Sequence, residues 1–342
     1  MKSKMTLNQI RCWTVSIATS LSFAGSLFAA DITKLDTSDN LDQGAAWSGG
    51  FPPTLADRAL FDSTVALGPA AGSYLLGLDT NWLGIVFTSP GTNIVIGAGN
   101  TLLLGAQGID MSSATTNLTL QCPVFVGATQ VWNVASGRAL IASGAIAGTN
   151  GFIKSGAGVL GLGVANTWTN GTVISNGVVS LDATTATLGV NAIGHTLTLA
   201  GGAISNNWGT GNQVTHNNSI VVPAGTTGTI KMGNRIRLAS NGNAASISGG
   251  GTLNIVCSST VTRTDIGSQA GPFTGTVNFV NELGFVGQTG LRLFINAGAF
   301  SGFSNATVNL DGNQAWNYNC NSGGNTFTYG TLQGTNASAQ LG

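Results

Sequence analysis

Hydrophobic residues along the chain come in short runs that glycine, asparagine, serine and proline separate. Leu118-Thr119-Leu120 alternates apolar and polar residues, which predicts a β-strand with one buried face. Ile94-Val95-Ile96 is apolar throughout, which predicts a strand covered on both faces. No helix-period pattern lies between the runs, and the separating residues are those that turns favour. The pattern therefore predicts an all-β chain of short strands joined by turns.

The stretch Gly148–Leu181 shows this pattern most clearly. Leu160 and Leu162 alternate with glycines, and Val179 and Leu181 repeat the arrangement after a turn. Three Asn-Gly pairs supply turn signals, because both residue types accept a positive φ. These pairs begin at Asn150, Asn170 and Asn176. We interpret the stretch as one coil of a β-solenoid, in which successive coils stack on one another.

Looser versions of the same coil recur along the chain. A degenerate second copy covers residues 249–281, and a Thr-Leu-x-Leu/Ile signature recurs with uneven spacing at Thr101, Thr196 and Thr252. The uneven spacing predicts coils of varied length with loops inserted between them. We therefore expect residues 73–342 to form a single β-helix.

The stretch 148–181 resembles the autotransporter-associated β-strand repeat, which occurs in secreted and surface passenger domains of bacteria. Trp168 stands where the repeat usually has tyrosine, and Asn170 stands where it usually has glycine. The resemblance implies a right-handed parallel β-helix that is exported to the cell surface or beyond. It gives the matching residues a structural role in the repeat: Gly151, Lys154, Gly156, Gly158, Leu160, Leu162, Asn166, Thr167, Trp168, Gly171, Thr172, Val173, Gly177 and Leu181.

Autotransporters end in a membrane β-barrel, whereas this sequence stops in what reads as the middle of a coil. We therefore expect the chain to be the N-terminal piece of a longer protein, with an open C-terminal edge that associates readily.

The first thirty residues have the features of a secretory signal peptide. Lys2, Lys4 and Arg11 give a positive start, an uncharged and mostly apolar stretch follows, and Ala29-Ala30 precedes a plausible cleavage point. The apolar stretch is shorter than the roughly 20 strongly apolar residues of a membrane span. An uncleaved signal anchor is the alternative. We expect a protein that is secreted or held at the cell surface or outer membrane.

Residues 31–72 predict an irregular N-terminal capping segment, because Pro52-Pro53 prevents a regular strand. Trp47, Phe51 and Phe61 lie in it, and a solenoid needs such a cover over its first coil. The alternative is that Trp47 and Phe51 form an aromatic platform for a sugar.

Charged residues make up only 7% of the chain, against about 25% in an average soluble protein. Removing the three basic leader residues from twelve leaves nine against twelve acidic ones, so the mature net charge is about −3. Such a surface has no electrostatic footprint for nucleic acid or for anionic lipid. Its polarity comes from neutral asparagine, threonine and serine, which suit recognition of glycans by many weak hydrogen bonds.

Three cysteines remain after the leader, namely Cys122, Cys257 and Cys320. An odd number excludes complete internal pairing. Cys257 and Cys320 are separated by several coils of about 4.8 Å each, which is too far for a disulfide. We expect buried free thiols.

Candidate catalytic and binding residues are few. Arg235 and Arg237 share one strand face, and Arg263 precedes Asp265 by two residues. These four residues are candidates for a uronate site in a polysaccharide lyase or hydrolase, and the alternative is a solvated face with a local ion pair. The shortage of carboxylates favours the alternative, since hydrolases need paired carboxylates and lyases need acidic clusters.

Three other features contain residue types that can bind a metal or take part in catalysis. His195 and His216 are about one coil apart, but two ligands make a weak metal site. Asp36, Asp39 and Asp42 recur at every third position in a stretch that we interpret as solvated. Lys154 is interpreted as an exposed turn residue or as a lid over a neighbouring coil through its methylene groups, and not as a catalytic residue.

The sequence therefore predicts a non-catalytic structural or adhesin-like surface protein without a cofactor or metal. Its expected partners are glycans or other surface components. The alternative is a carbohydrate-active enzyme.

Overall fold

The computed structural model describes residues 29–69, 72–192, 194–206, 213–232, 235–238, 246–257, 263–266, 273–281, 292–295, 300–309, 317–320 and 327–334. All but the last two residues of the predicted leader lie outside these ranges. Within them the chain is almost entirely β-structure, as the alternating sequence pattern predicts.

Parallel strands form three sheets. Sheet 1 contains β1 (Ala30–Thr33), β2 (Asp57–Phe61), β3 (Thr80–Phe87), β5 (Leu102–Met111), β8 (Gln130–Val134), β11 (Phe152–Ser155), β13 (Thr172–Ile174), β15 (Thr196–Leu199), β18 (Ser219–Val221) and β21 (Ile247–Ser248). In the same sheet, β7 (Val124–Val126) pairs with β5, and β10 (Ile146–Gly148) pairs with β7. Sheet 2 contains β4 (Ile94–Ile96), β6 (Leu118–Leu120), β9 (Ala139–Ala142), β12 (Val159–Leu162), β14 (Val178–Leu181), β16 (Ala203–Asn206), β19 (Thr227–Met232), β22 (Thr252–Cys257), β24 (Thr276–Asn281), β26 (Phe300–Asn309) and β28 (Phe327–Gln333). Sheet 3 contains β17 (Gln213–His216), β20 (Arg235–Leu238), β23 (Arg263–Ile266), β25 (Arg292–Ile295) and β27 (Asn317–Cys320).

The chain visits the sheets in turn, so each strand pairs with the equivalent strand of the next turn. Residue 160 of β12, for example, pairs with residue 140 of β9 on one side and with residue 179 of β14 on the other. About 9 such turns form a β-solenoid, which confirms the predicted parallel β-helix.

Stacked aliphatic columns fill the interior. One inward column of sheet 2 is apolar in nine successive strands, and each member is buried: Ile94, Leu118, Leu140, Leu160, Val179, Ile204, Ile230, Ile255 and Phe279. Burying each such side chain contributes about 1.5–3 kcal/mol. Strand pairing between turns satisfies the backbone polar groups.

The burial of residues in β6 and β4 confirms one prediction about covered strand faces and contradicts another. Leu118 and Leu120 are fully buried while Thr119 is half-buried, which confirms the alternating strand. In β4, however, Val95 is also half-buried, so the prediction of cover on both faces is wrong. The outer face of sheet 2 at Val95 is partly open to solvent.

Residues 31–72 contain β1 and β2 as well as an irregular segment between them. That segment includes two short 3₁₀-helices, Gly44–Ala46 and Ser48–Gly50. Trp47 and Phe61 are buried and meet edge to face, with ring centroids 5.9 Å apart. Phe51 is 77% exposed, so its predicted capping role is wrong. Because Trp47 is buried, the alternative sugar platform of Trp47 and Phe51 is also wrong.

No helix among the described residues is long and apolar enough to cross a membrane.

Candidate functional site

A groove of about 270 Å³ lies on the outer face of sheet 1, within the repeat stretch that the sequence singles out. Its floor follows an outward column in which Ile153 pairs with Val173 and Val173 pairs with Thr198. These three side chains are half-buried, so the floor is mostly aliphatic but open. The remaining lining residues are Thr129, Gly151, Phe152, Asn170, Gly171, Thr172 and Thr196. None of the lining side chains is charged.

Glycines in neighbouring turns make this groove possible. A Cβ atom on Gly151 would collide with the carbonyl oxygen of Gly171, and one on Gly171 would lie 3.0 Å from the carbonyl oxygen of Thr196. The backbones of three successive turns therefore approach closely here and leave space above them. Hydroxyl and amide groups of Thr129, Asn170 and Thr196 lie around this apolar floor. An aliphatic floor with neutral polar groups beside it suits a ligand with apolar faces and hydroxyl edges.

The repeat lysine lies inside the solenoid. Lys154 is fully buried in an inward column of sheet 1, between Trp132 and Ile174 of the adjacent turns. Its Nζ donates to the backbone carbonyls of Ser155 at 2.7 Å, Gly156 at 2.8 Å and Asn176 at 3.3 Å. The prediction of an exposed turn residue or of a surface lid is therefore wrong, because the ammonium satisfies three carbonyl oxygens at a corner of the solenoid.

We call Lys154 and its three carbonyl partners the lysine corner. Glycines surround this corner. Gly177 has φ +69°, and a Cβ there would collide with the carbonyl oxygens of Gly156 and Gly158 and would lie 2.9 Å from the Lys154 Nζ. A larger residue at 177 would thus disturb the corner. Burial lowers the pKa of Lys154 to about 8, so the ammonium is still the main form at neutral pH.

Other repeat residues also have specific structural contacts. Asn166 accepts from the backbone N–H of Ile146 through Oδ1 and donates through Nδ2 to the carbonyls of Val164 and Thr187. The indole of Trp168 donates to Thr172 Oγ1 at 3.0 Å. Leu160, Leu162 and Leu181 are fully buried in the core.

A second buried lysine lies in the N-terminal segment. Lys34 Nζ donates to the carbonyls of Leu35 at 2.7 Å and Thr37 at 3.0 Å, and it lies 4.3 Å from the ring centroid of Tyr74. Burial lowers the pKa of Lys34 to about 8, although the charges of Asp39 and Asp36 oppose this shift. Asp36 and Asp39 are exposed, which agrees with a solvated acidic stretch, and Asp42 is half-buried.

His195 is buried inside the solenoid. Its ring lies 6.1 Å from that of Trp168, and its Nδ1 is 3.0 Å from Nδ2 of Asn218. Burial lowers the pKa of His195, so the neutral imidazole accepts this hydrogen bond. His216 lies in β17 of sheet 3, and its side chain is outside the described part of the structure. Among the described residues, no three His, Cys, Asp or Glu side chains form a group that would hold a metal.

The candidate basic residues lie in sheet 3. Strand pairing makes Arg237 of β20 the neighbour of Asp265 of β23, and it makes Arg263 the neighbour of Arg292 in the following turn. Arg235 pairs with Gln213. The register thus brings an arginine and an aspartate together from adjacent turns, while the side chains of these residues lie outside the described part of the structure.

Cys122 is fully buried and unbridged, which confirms the prediction of a buried free thiol at this position. Burial raises its pKa to about 12, so the reactive thiolate is suppressed. Cys257 and Cys320 lie in sheets 2 and 3, with side chains outside the described part.

Comparison with known proteins identifies no relative. No family model, no curated protein and no solved structure matches the chain.

Proposed function

We propose that this protein is an exported, surface-displayed β-solenoid that binds neutral glycans without catalysing a reaction. The observation that carries the proposal is the uncharged groove over Ile153, Val173 and Thr198. Sugars present apolar C–H faces and neutral hydroxyl edges, and the groove offers the complementary arrangement. Its volume of about 270 Å³ lies near the lower limit of roughly 300 Å³ for ligand pockets, which suits one or two sugar rings.

Two features of the sequence support display outside the cell. The first thirty residues have a basic start, an apolar middle and a small-residue cleavage point. The repeat stretch resembles a family of bacterial passenger domains, in which a rigid β-helix presents its surface to other cells.

Binding to immobilised glycans tests this function. The mature protein should bind a subset of neutral glycans, and Val173→Glu should abolish that binding because it places a charge on the groove floor. The matched control is Val221→Glu, which lies two turns further along the same outward column and outside the groove. Equal binding by the two variants, or binding confined to acidic glycans, would contradict the proposal.

A carbohydrate-active enzyme is a second candidate, favoured by the register that pairs Arg237 with Asp265. A search for new unsaturated or reducing ends on acidic polysaccharides tests it, with Arg235→Ala and Arg237→Ala as variants. Activity that these substitutions remove would replace the proposed binding function with catalysis.

A further inference from the structure

The outer face of sheet 2 changes character in its last five turns. There, two outward columns consist entirely of neutral polar residues. The first column is Thr227, Thr252, Thr276, Thr307 and Thr331, and the second column is Thr229, Asn254, Asn278, Asn309 and Gln333. We call these ten residues the threonine–asparagine array.

The array is a two-dimensional lattice of side chains. Each row is a Thr-x-Thr, Thr-x-Asn or Thr-x-Gln segment, so its two members lie about 6.6 Å apart along the strand. Successive rows are stacked strands, which lie about 4.8 Å apart. No register shift interrupts the paired rows of the array. The side chains therefore repeat in two perpendicular directions.

Two amide groups of this lattice are joined by a hydrogen bond. Asn278 Nδ2 donates to Asn254 Oδ1 at 2.9 Å across neighbouring turns. Such side-chain ladders stabilise flat stacked sheets, which otherwise twist. The array residues are half-buried or exposed, while Leu253, Val277 and Val308 between the columns are buried in the core. A packed interior thus supports a solvent-facing polar lattice.

The array has almost no charge and no aromatic ring. In the described parts of its five strand segments, Lys231 is the one charged residue, and it lies at the edge beside Thr229. Protein sites for single sugar chains use grooves and aromatic faces. The ten residues of the array include no aromatic side chain, whereas Phe152 lines the groove on sheet 1. A neutral face whose polar side chains repeat from turn to turn is complementary to another periodic surface.

We propose that the threonine–asparagine array binds the surface of crystalline ice. Water molecules in ice are neutral donors and acceptors at fixed, regularly repeated lattice points, and the array likewise presents neutral donors and acceptors at regular intervals. Hydroxyl and amide groups can donate to and accept from such waters. The threonine methyl groups add apolar contact. This inference goes beyond glycan binding, since it concerns a different sheet and a different ligand.

Thermal hysteresis and capture of the protein into a growing ice shell test the inference. The mature wild-type protein should separate the melting and freezing temperatures of a solution and should enter the ice. Thr276→Lys, which places a charged side chain at the centre of the array, should lose most of both effects. The matched control is Thr119→Lys, a half-buried outward threonine on the same sheet outside the array, and it should behave like wild type.

Circular dichroism and a thermal melt should show that each variant is folded. If Thr276→Lys does not fold, Thr252→Lys one turn earlier makes the same test. Wild-type protein without hysteresis or ice capture would overturn the inference, as would equal loss in Thr276→Lys and Thr119→Lys. A wild-type dimer that Thr276→Lys converts to a monomer would also overturn it, because a second copy would then cover the array. Loss of glycan binding through Val173→Glu should leave ice capture unchanged.

Discussion

One outward column of sheet 2 is used differently in the two halves of the solenoid. In four successive turns of the first half it consists of Ala139, Val159, Val178 and Ala203, all half-buried aliphatic residues. From Thr229 onward the same column is polar, with Asn254, Asn278 and Asn309 in the following turns. The two halves therefore share a backbone but present different outer surfaces.

The inward neighbours of this column do not change in the same way. Leu140, Leu160, Val179 and Ile204 of the first half continue as Ile230 and Ile255 in the second half, and all are buried. The comparison indicates that the interior fixes the stacking of turns, while the outer face is free to specialise. The repeat stretch additionally has the lysine corner, whose hydrogen bonds join its own turn to the next one.

The largest expected loss of unfolding free energy comes from shortening side chains in the interior that both halves share. Leu160→Ala in the first half and Leu253→Ala in the second half should each lower the free energy of unfolding by about 3 kcal/mol, because each leaves a cavity in a packed column. Thr252→Ala, an outward neighbour of Leu253, should change it by less than about 0.5 kcal/mol. Denaturant titrations followed by circular dichroism measure all three. A costly Thr252→Ala would show that the outer face also determines the fold.

A smaller loss of unfolding free energy is expected at the lysine corner, the feature that distinguishes the repeat stretch. Lys154→Met keeps much of the side-chain volume but removes the donor to three carbonyl oxygens, so it should cost about 2 kcal/mol. Lys231→Met makes the same change at a half-buried outward position and should cost less than Lys154→Met. The same titrations measure both variants. Equal costs would mean that the lysine corner has no special role.

The pH dependence of the lysine corner sharpens this contrast further. The unfolded chain holds the Lys154 proton up to about pH 10.5, whereas the folded chain releases it at about pH 8. Between these values the unfolded state binds more protons, so the Lys154 contribution to the unfolding free energy rises from pH 8 to pH 10.5 and is constant below pH 8. The difference in unfolding free energy between wild type and Lys154→Met should therefore increase from pH 8 to 10. A constant difference would refute the buried position of the ammonium.

The alternation of residues predicted the inward positions well. Leu160 and Leu162 are core residues as expected, since period-two alternation determines which face of a strand is buried. The burial of Lys154 was not predictable, because its third partner, the Asn176 carbonyl, comes close only when successive turns stack. The threonine–asparagine array was also missed. Its threonines are unequally spaced in the sequence, and only the strand register aligns them.

The groove on sheet 1 likewise depends on register. Gly151 and Gly171 read as turn residues in the sequence, but their close approach in adjacent turns creates the space above Ile153 and Val173. Composition predicted a neutral surface, and stacking decides where that surface forms a concave site.

The central claim is that a neutral outer groove binds glycans while the interior serves the fold. Backbone amide NMR spectra of the mature protein test this claim most directly. They are recorded during titration with a neutral oligosaccharide that the protein binds in the immobilised-glycan experiment. We expect saturable shifts at the amides of Gly151, Ile153, Gly171 and Val173, with the signals of the interior column of sheet 2 unchanged. Shifts centred on sheet 3 around Arg237 and Asp265, with the groove signals unchanged, would contradict the account.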